Sequence, residues 1–154
     1  MMLKATGKND LWFRTSNVFK ALQNGDTDYL ETGIRELIQE TVSAKVLDSE
    51  HAYQTYLIGM MMGFCGNYEI YGDRLETGDG FADIMFRRMH GPGPNIILEL
   101  KKSKSEKDLE KDAGAAMEQI LERDYMQGLK GRTLLYGASF YSKKPFIISR
   151  EIVC

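Results

Sequence analysis

The sequence predicts a mixed α/β domain preceded by a helical extension. From about residue 49 onward, segments with a helical period alternate with β-branched and aromatic runs, in the order helix, three strands, helix, two strands. Before residue 48, apolar residues recur only at helical spacing. A length of 154 residues suits one domain and is short for two ordinary ones.

Each element has its own justification. Val18, Phe19 and Leu22 form a brief apolar face stopped by Asn24 and Gly25. Leu30, Ile34, Leu37 and Ile38 then recur up to about Val42, so the first 45 residues are expected to be short helices. Asp48 or Ser49 is placed to cap the next helix. Its apolar positions, Tyr53, Tyr56, Leu57, Met60, Met61 and Phe64, follow the spacing of one helical face. The run Met60 to Met62 reads as adaptable core filler.

Gly63, Gly66 and Asn67 end that helix, and Tyr68 to Leu75 reads as a strand. Glu76 to Gly80 is a turn or bulge, and Phe81 to Met89 a second strand. The loop from His90 to Asn95 contains Pro92 and Pro94, which offer no ladder donor. Asn95 to Lys101 is the third strand, and Ile96, Ile97, Leu98 and Leu100 give it the continuous apolar character of a central position. The charged stretch Lys102 to Lys107 is expected to open a long helix. Leu109, Ala113, Ala116, Met117, Ile120 and Leu121 share one of its faces, and Ala115 and Ala116 permit close approach to a sheet. Arg132 to Phe140 and Pro145 to Val153 are the last two strands.

Composition excludes several classes. With 43% hydrophobic and 27% charged residues the chain is neither disordered nor collagen-like. No apolar run is long enough for a membrane span. The N-terminus, with Lys4, Lys8, Asn9 and Asp10, lacks the apolar stretch of a signal peptide, so a cytoplasmic protein with no membrane partner is expected. Two cysteines and two histidines argue against a disulfide framework and a zinc cluster. There is no GxxxxGK[ST] loop and no G-x-S-x-G elbow. A net charge of -2 argues against coating nucleic acid by bulk charge. Basic residues nevertheless gather locally, at Arg87 and Arg88, at Lys101, Lys102, Lys104 and Lys107, and at Lys143 and Lys144. A groove lined by some of these could hold a nucleic-acid backbone, and a solvated mixed-charge surface is the competing reading.

The residues with chemical promise are Asp83, Glu99 and Lys101. Glu99 lies between Leu98 and Leu100 in a strand that should be buried, and an ionised carboxylate there is costly unless a cation shares it with a second carboxylate. Adjacent strands could bring Asp83 and Glu99 together. Residues i and i+2 of a strand face the same way, so Glu99 and Lys101 project side by side. Two carboxylates with the carbonyl of Leu100 are hard oxygen donors suited to Mg2+ or Mn2+, and a neighbouring lysine could orient a water or offset phosphate charge. The combination predicts metal-dependent phosphodiester hydrolysis. An ordinary ion pair between Glu99 and Lys101 is the alternative reading of the same residues.

Three segments together resemble the PD-(D/E)xK nuclease superfamily: Gly80 to Ile84 around Asp83, Ile96 to Lys101, and Ala116 to Ile120 with Tyr125 beyond. Within it the chain is similar to nuclease-like domains often found C-terminal to an AAA-type ATPase domain in bacterial proteins. Glu50 to Gln54 with Leu57 to Gly59, and Tyr136 to Tyr141, share that likeness, which covers about residues 48 to 150. The resemblance implies a restriction-endonuclease-like αβββαβ core with a mixed central sheet over residues 48–154, and a helical extension or linker remnant over residues 1–47. It implies that Asp83 and Glu99 bind the metal, that Lys101 is the catalytic lysine, and that Glu50 is the acid of the first core helix. It further implies a nucleic-acid substrate, expected to be DNA, and an AAA-type ATPase domain as a possible partner.

Gln119 resembles the glutamine that follows the signature in many members, and also fits a plain hydrogen-bonding residue. Glu50 likewise fits a solvated acid in a first helical turn. Two positions depart from the group, since Gln54 stands where histidine is frequent and Phe81 where arginine is. An inactive nucleic-acid or protein interaction module of the same fold is the alternative function.

Overall fold

The computed structural model describes residues 2–72, 83–123 and 125–154, with side chains from residue 11 on. Four helices, α1 (Met2–Asn24), α2 (Thr27–Thr41), α3 (Glu50–Met61) and α4 (Leu109–Arg123), surround five strands. The strands are β1 (Tyr68–Gly72), β2 (Ile84–Arg88), β3 (Asn95–Lys102), β4 (Arg132–Tyr141) and β5 (Lys144–Val153). They form one mixed sheet in the order β1-β2-β3-β4-β5. Among the described strands only β3 and β4 pair in parallel, as the crossover through α4 requires. The expected turn from Glu76 to Gly80, and Phe81 with it, lies outside the described residues.

The central position expected of the third strand is observed. Asn95 to Leu100 are all buried, with β2 on one side and β4 on the other. Alternation then sorts its side chains. Ile96, Leu98 and Leu100 enter a large core with Phe86, Tyr136, Ala138 and Phe140 and with residues of α1, α2 and α3. Ile97 faces the other way, into a smaller core with Met85, Leu135, Met117 and Ile120 under α4.

α3 is capped by Ser49, whose Oγ accepts the Ala52 N–H at 3.1 Å. Tyr53 stacks on Phe140 of β4 with ring centroids 4.1 Å apart, and its hydroxyl donates to the Ser142 carbonyl. On the opposite face, α4 packs so tightly on β4 that a Cβ on Gly137 would collide with the Ala113 carbonyl and lie 2.9 Å from the Met117 nitrogen. Gly137 is the register partner of Glu99, so this close approach brings α4 down over Glu99 as well.

Several expectations need correction. α1 is one 23-residue helix rather than a short one. With α2 it covers a face of the sheet: Phe19 meets Tyr68 and Phe86 edge-on at 5.8 Å, and the Tyr136 hydroxyl donates to the Leu22 carbonyl at 2.5 Å. β3 continues through Lys102, and α4 begins only at Leu109 after a 3-10 turn over Glu106–Asp108. Ser103 turns the chain there, donating its N–H to the Phe140 carbonyl and its hydroxyl to Asp112. Ala115 is exposed and Leu121 is 37% exposed, so Ala113, Ala116 and Gly137 make the close contact.

Candidate active site

The C-terminal end of β3 carries two polar side chains on the α4 face. Glu99 is buried and Lys101 half-buried. Gln119 of α4 lies over both, with its Oε1 accepting from Lys101 Nζ at 2.8 Å and its Nε2 donating to Glu99 Oε1 at 2.5 Å. The same Nε2 reaches the buried Tyr125 hydroxyl at 3.3 Å. A single amide thus holds the carboxylate and the ammonium of the Glu-x-Lys motif, and Tyr125 holds the amide.

Asp83 immediately precedes β2. Its Oδ2 accepts the Leu100 N–H at 2.7 Å, which ties it to β3 just beyond Glu99. The described β2–β3 pairing ends at Ile84↔Leu98. Since the N–H and C=O of a strand residue point to the same edge, the Leu100 carbonyl shares the Asp83 side of β3. Asp83 is fixed from a second direction by Gln54, whose Nε2 donates to the Asp83 carbonyl oxygen at 2.6 Å while its Oε1 meets His51 Nδ1 at 3.2 Å. Gln54 is 7% exposed, and sequence reasoning gave it no role because its partner is a backbone atom on a distant element. The available signal was a lone amide on the apolar side of α3.

Glu99 Oε2 is buried and has no hydrogen-bond partner among the described residues. Such an oxygen is expensive as a bare anion. Burial first, and the neighbouring Asp83 carboxylate second, push the Glu99 carboxyl up to about 8, while Lys101 pulls the other way. Without a cation the site therefore favours the protonated form of Glu99 over the bare anion. A divalent ion placed against Oε2 would satisfy the orphaned oxygen and the repulsion from Asp83 together.

Glu50 sits at the edge of this arrangement. It is exposed, and its Oε1 accepts the Lys102 N–H at 3.3 Å, while Lys102 Nζ donates to the Asp48 carbonyl at 2.5 Å. No group of three or more His, Cys, Asp or Glu side chains among the described residues is arranged to hold a metal ion. Glu50 does not complete a trio with Asp83 and Glu99, so the hard donors brought together here are two carboxylates, with the Leu100 carbonyl beside them. That hard, incomplete set suits Mg2+ or Mn2+, which retain waters of their own. Arg87 and Arg88 lie at the other end of β2 from Asp83, and Lys144 pairs with Glu106.

A restriction-endonuclease-like α/β fold with an Asp before one central strand and Glu-x-Lys on the next defines a class of metal-assisted nuclease folds. Residues 48–150 match the PD-(D/E)XK nuclease superfamily, and the chain belongs to it. No curated protein matches the chain. Among solved structures, that of SSO0001 is similar at 16% identity over 98% of this chain and 79% of the other, with a TM-score of 0.32. No helix of the described residues is long and apolar enough to cross a membrane.

Proposed function

We propose that this protein hydrolyses phosphodiester bonds in DNA with a divalent cation held by Asp83, Glu99 and the Leu100 carbonyl. The observation that carries the reading is the buried, unpartnered Glu99 Oε2 beside Asp83, two residues before a lysine held in register by Gln119. When bound, Mg2+ or Mn2+ supplies charge stabilisation to the phosphate oxygen that becomes more negative during attack.

The chain's own groups do the rest. Lys101 is a permanent donor whose Nζ is already anchored on one side by Gln119, leaving its remaining hydrogens for an attacking water and a phosphate oxygen. Gln119 keeps Lys101 from collapsing into a direct ion pair with Glu99, because its amide sits between them. Gln54 and the Leu100 N–H hold Asp83 from two sides, so the carboxylate is positioned before any ligand arrives. Glu50 lies close enough to the β3 terminus, through the Lys102 N–H, to take a supporting part at the rim.

The test is cleavage of a labelled DNA substrate in Mg2+ or Mn2+ by the wild type and by Asp83→Ala, Glu99→Ala and Lys101→Ala. Each variant is expected to lose at least about a hundredfold in rate, the scale of a transition-state charge contact. Full activity in all three would defeat the proposal.

A further inference from the structure

A polar cavity of about 440 Å³ opens at the end of β3 away from Glu99 and Lys101. It is lined by Arg87, Arg88 and His90 from the end of β2 and its loop, by Asn95 at the start of β3, and by Gly128 and Lys130 from the loop before β4. Among the described residues, no acid lines it. In a chain with net charge -2, that local excess of donors is a concentrated positive site.

The cavity is built rather than incidental. Asn95, 2% exposed, accepts the Arg88 N–H on its Oδ1 at 2.9 Å and donates its Nδ2 to the Lys130 carbonyl at 3.0 Å, so one buried amide joins the two loops that form the walls. Arg88 Nη1 donates to the Gly93 carbonyl at 2.8 Å, bracing the 89–94 loop from within. Arg87 and Lys130 are the exposed, adjustable cations. The pairing of Arg87 with Glu69, at 3.8 Å between exposed side chains, is weak enough to exchange for a better anion.

Position gives the cavity its meaning. Met85 and Ile97 share the core under α4, so strand alternation puts Arg87 on the α4 face, where Glu99 and Lys101 also project. The six residue steps of β3 from Asn95 to Lys101 separate the two ends by about 20 Å. Along a B-form duplex each strand advances about 3.4 Å per nucleotide, so about six nucleotides bridge that distance.

We propose that this basic cavity is a second, non-catalytic phosphate-binding site, which grips the backbone of a nucleic-acid strand about six nucleotides from the Asp83–Glu99–Lys101 centre. The inference rests on the nuclease reading for the second contact but concerns binding alone. It makes the cavity a length gauge: short oligonucleotides reach one site, longer ones reach both and gain avidity.

The experiment measures affinity for hairpin DNA with duplex stems of 4 to 14 base pairs in excess chelator, where no cleavage occurs, for the wild type and the exposed-site variant Arg87→Ala/Lys130→Ala. Wild-type affinity is expected to step up by about tenfold or more beyond six to eight base pairs. The double variant should lose the step and show a shallower salt dependence, by about one to two phosphate contacts. A charge reversal, Lys130→Glu, should weaken only the longer ligands. Equal length and salt dependence in wild type and variants would overturn the proposal. A wild type that shows the step yet cleaves nothing with Mg2+ or Mn2+ keeps this site and removes the nuclease reading, whereas cleavage without any step does the reverse.

Discussion

Gln54 lies 29 residues from Asp83 in sequence, yet its side-chain amide fixes the Asp83 carbonyl at 2.6 Å. Replacement by leucine removes the donor and leaves the half-buried Asp83 carbonyl to find another partner. Gln54→Leu is expected to weaken Mn2+ binding by about tenfold, the scale of losing a group that orients a metal ligand, with the fold retained. Gln54→His, which restores a ring donor, should recover most of it. Titration calorimetry on the three proteins decides the point, and equal affinities would remove the positioning role. Glu99 gives a pH prediction. Its folded carboxyl is raised to about 8 by burial, above the ordinary 4.5 expected when unfolded. The folded state thus binds the extra proton, and its stabilising effect is complete below pH 4.5 and is lost as pH rises through 8. In chelator, denaturant stability should fall across that window by a few kcal/mol, roughly 1.4 kcal/mol for each unit of the shift. Glu99→Gln should flatten the curve, whereas an unchanged slope would place the titration elsewhere.

At the scale of elements, the contact of α4 with β4 decides whether the site exists. Gly137 admits α4, and α4 carries Gln119 to Glu99 and Lys101. Gly137→Ala forces backbone apart at Ala113 and Met117, because neither colliding group is a flexible side-chain end. The expected cost is about 2 kcal/mol, or a Tm lowered by about 4 to 8 °C, together with loss of Mn2+ affinity. A Tm within a degree of wild type would show that α4 yields without cost. This scale also marks what was legible. β3 was readable because burial on both faces leaves a continuous run, Ile96 to Leu98 with Leu100, that no half-exposed strand has. The shared face of Glu99 and Lys101 followed from strand alternation, while their role in a site followed from the family resemblance; both side chains reach Gln119. Gln54 was not legible, since its partner is set by tertiary packing of α3 on the sheet. The full length of α1 was equally hidden, because its apolar residues cluster at Leu11 to Phe13 and Val18 to Leu22 with polar residues between.

For the whole molecule, the 47 residues before the family match are structural cover. Val18, Phe19, Leu22, Leu30, Ile34, Leu37 and Ile38 share one core with Phe86, Leu98 and Phe140 of the sheet. Removing residues 1–47 would uncover that face, an apolar patch of a kind that drives association. A fragment of residues 48–154 is expected to lack a cooperative thermal transition, and Phe19→Ala in the full chain to cost about 3 to 5 kcal/mol. A fragment that melts cooperatively near the full chain's Tm would show instead that the two helices are a dispensable appendage.

The sheet joins these scales by placing a carboxylate pair at one end and a basic cavity at the other. The central claim is that Asp83 and Glu99 share one divalent cation. Its most direct test is the anomalous scattering of a Mn2+-soaked crystal. The account predicts a peak contacting Asp83, Glu99 Oε2 and the Leu100 carbonyl, absent in Glu99→Ala; a crystal with no peak there, or with Mn2+ bound away from Glu99, would contradict it.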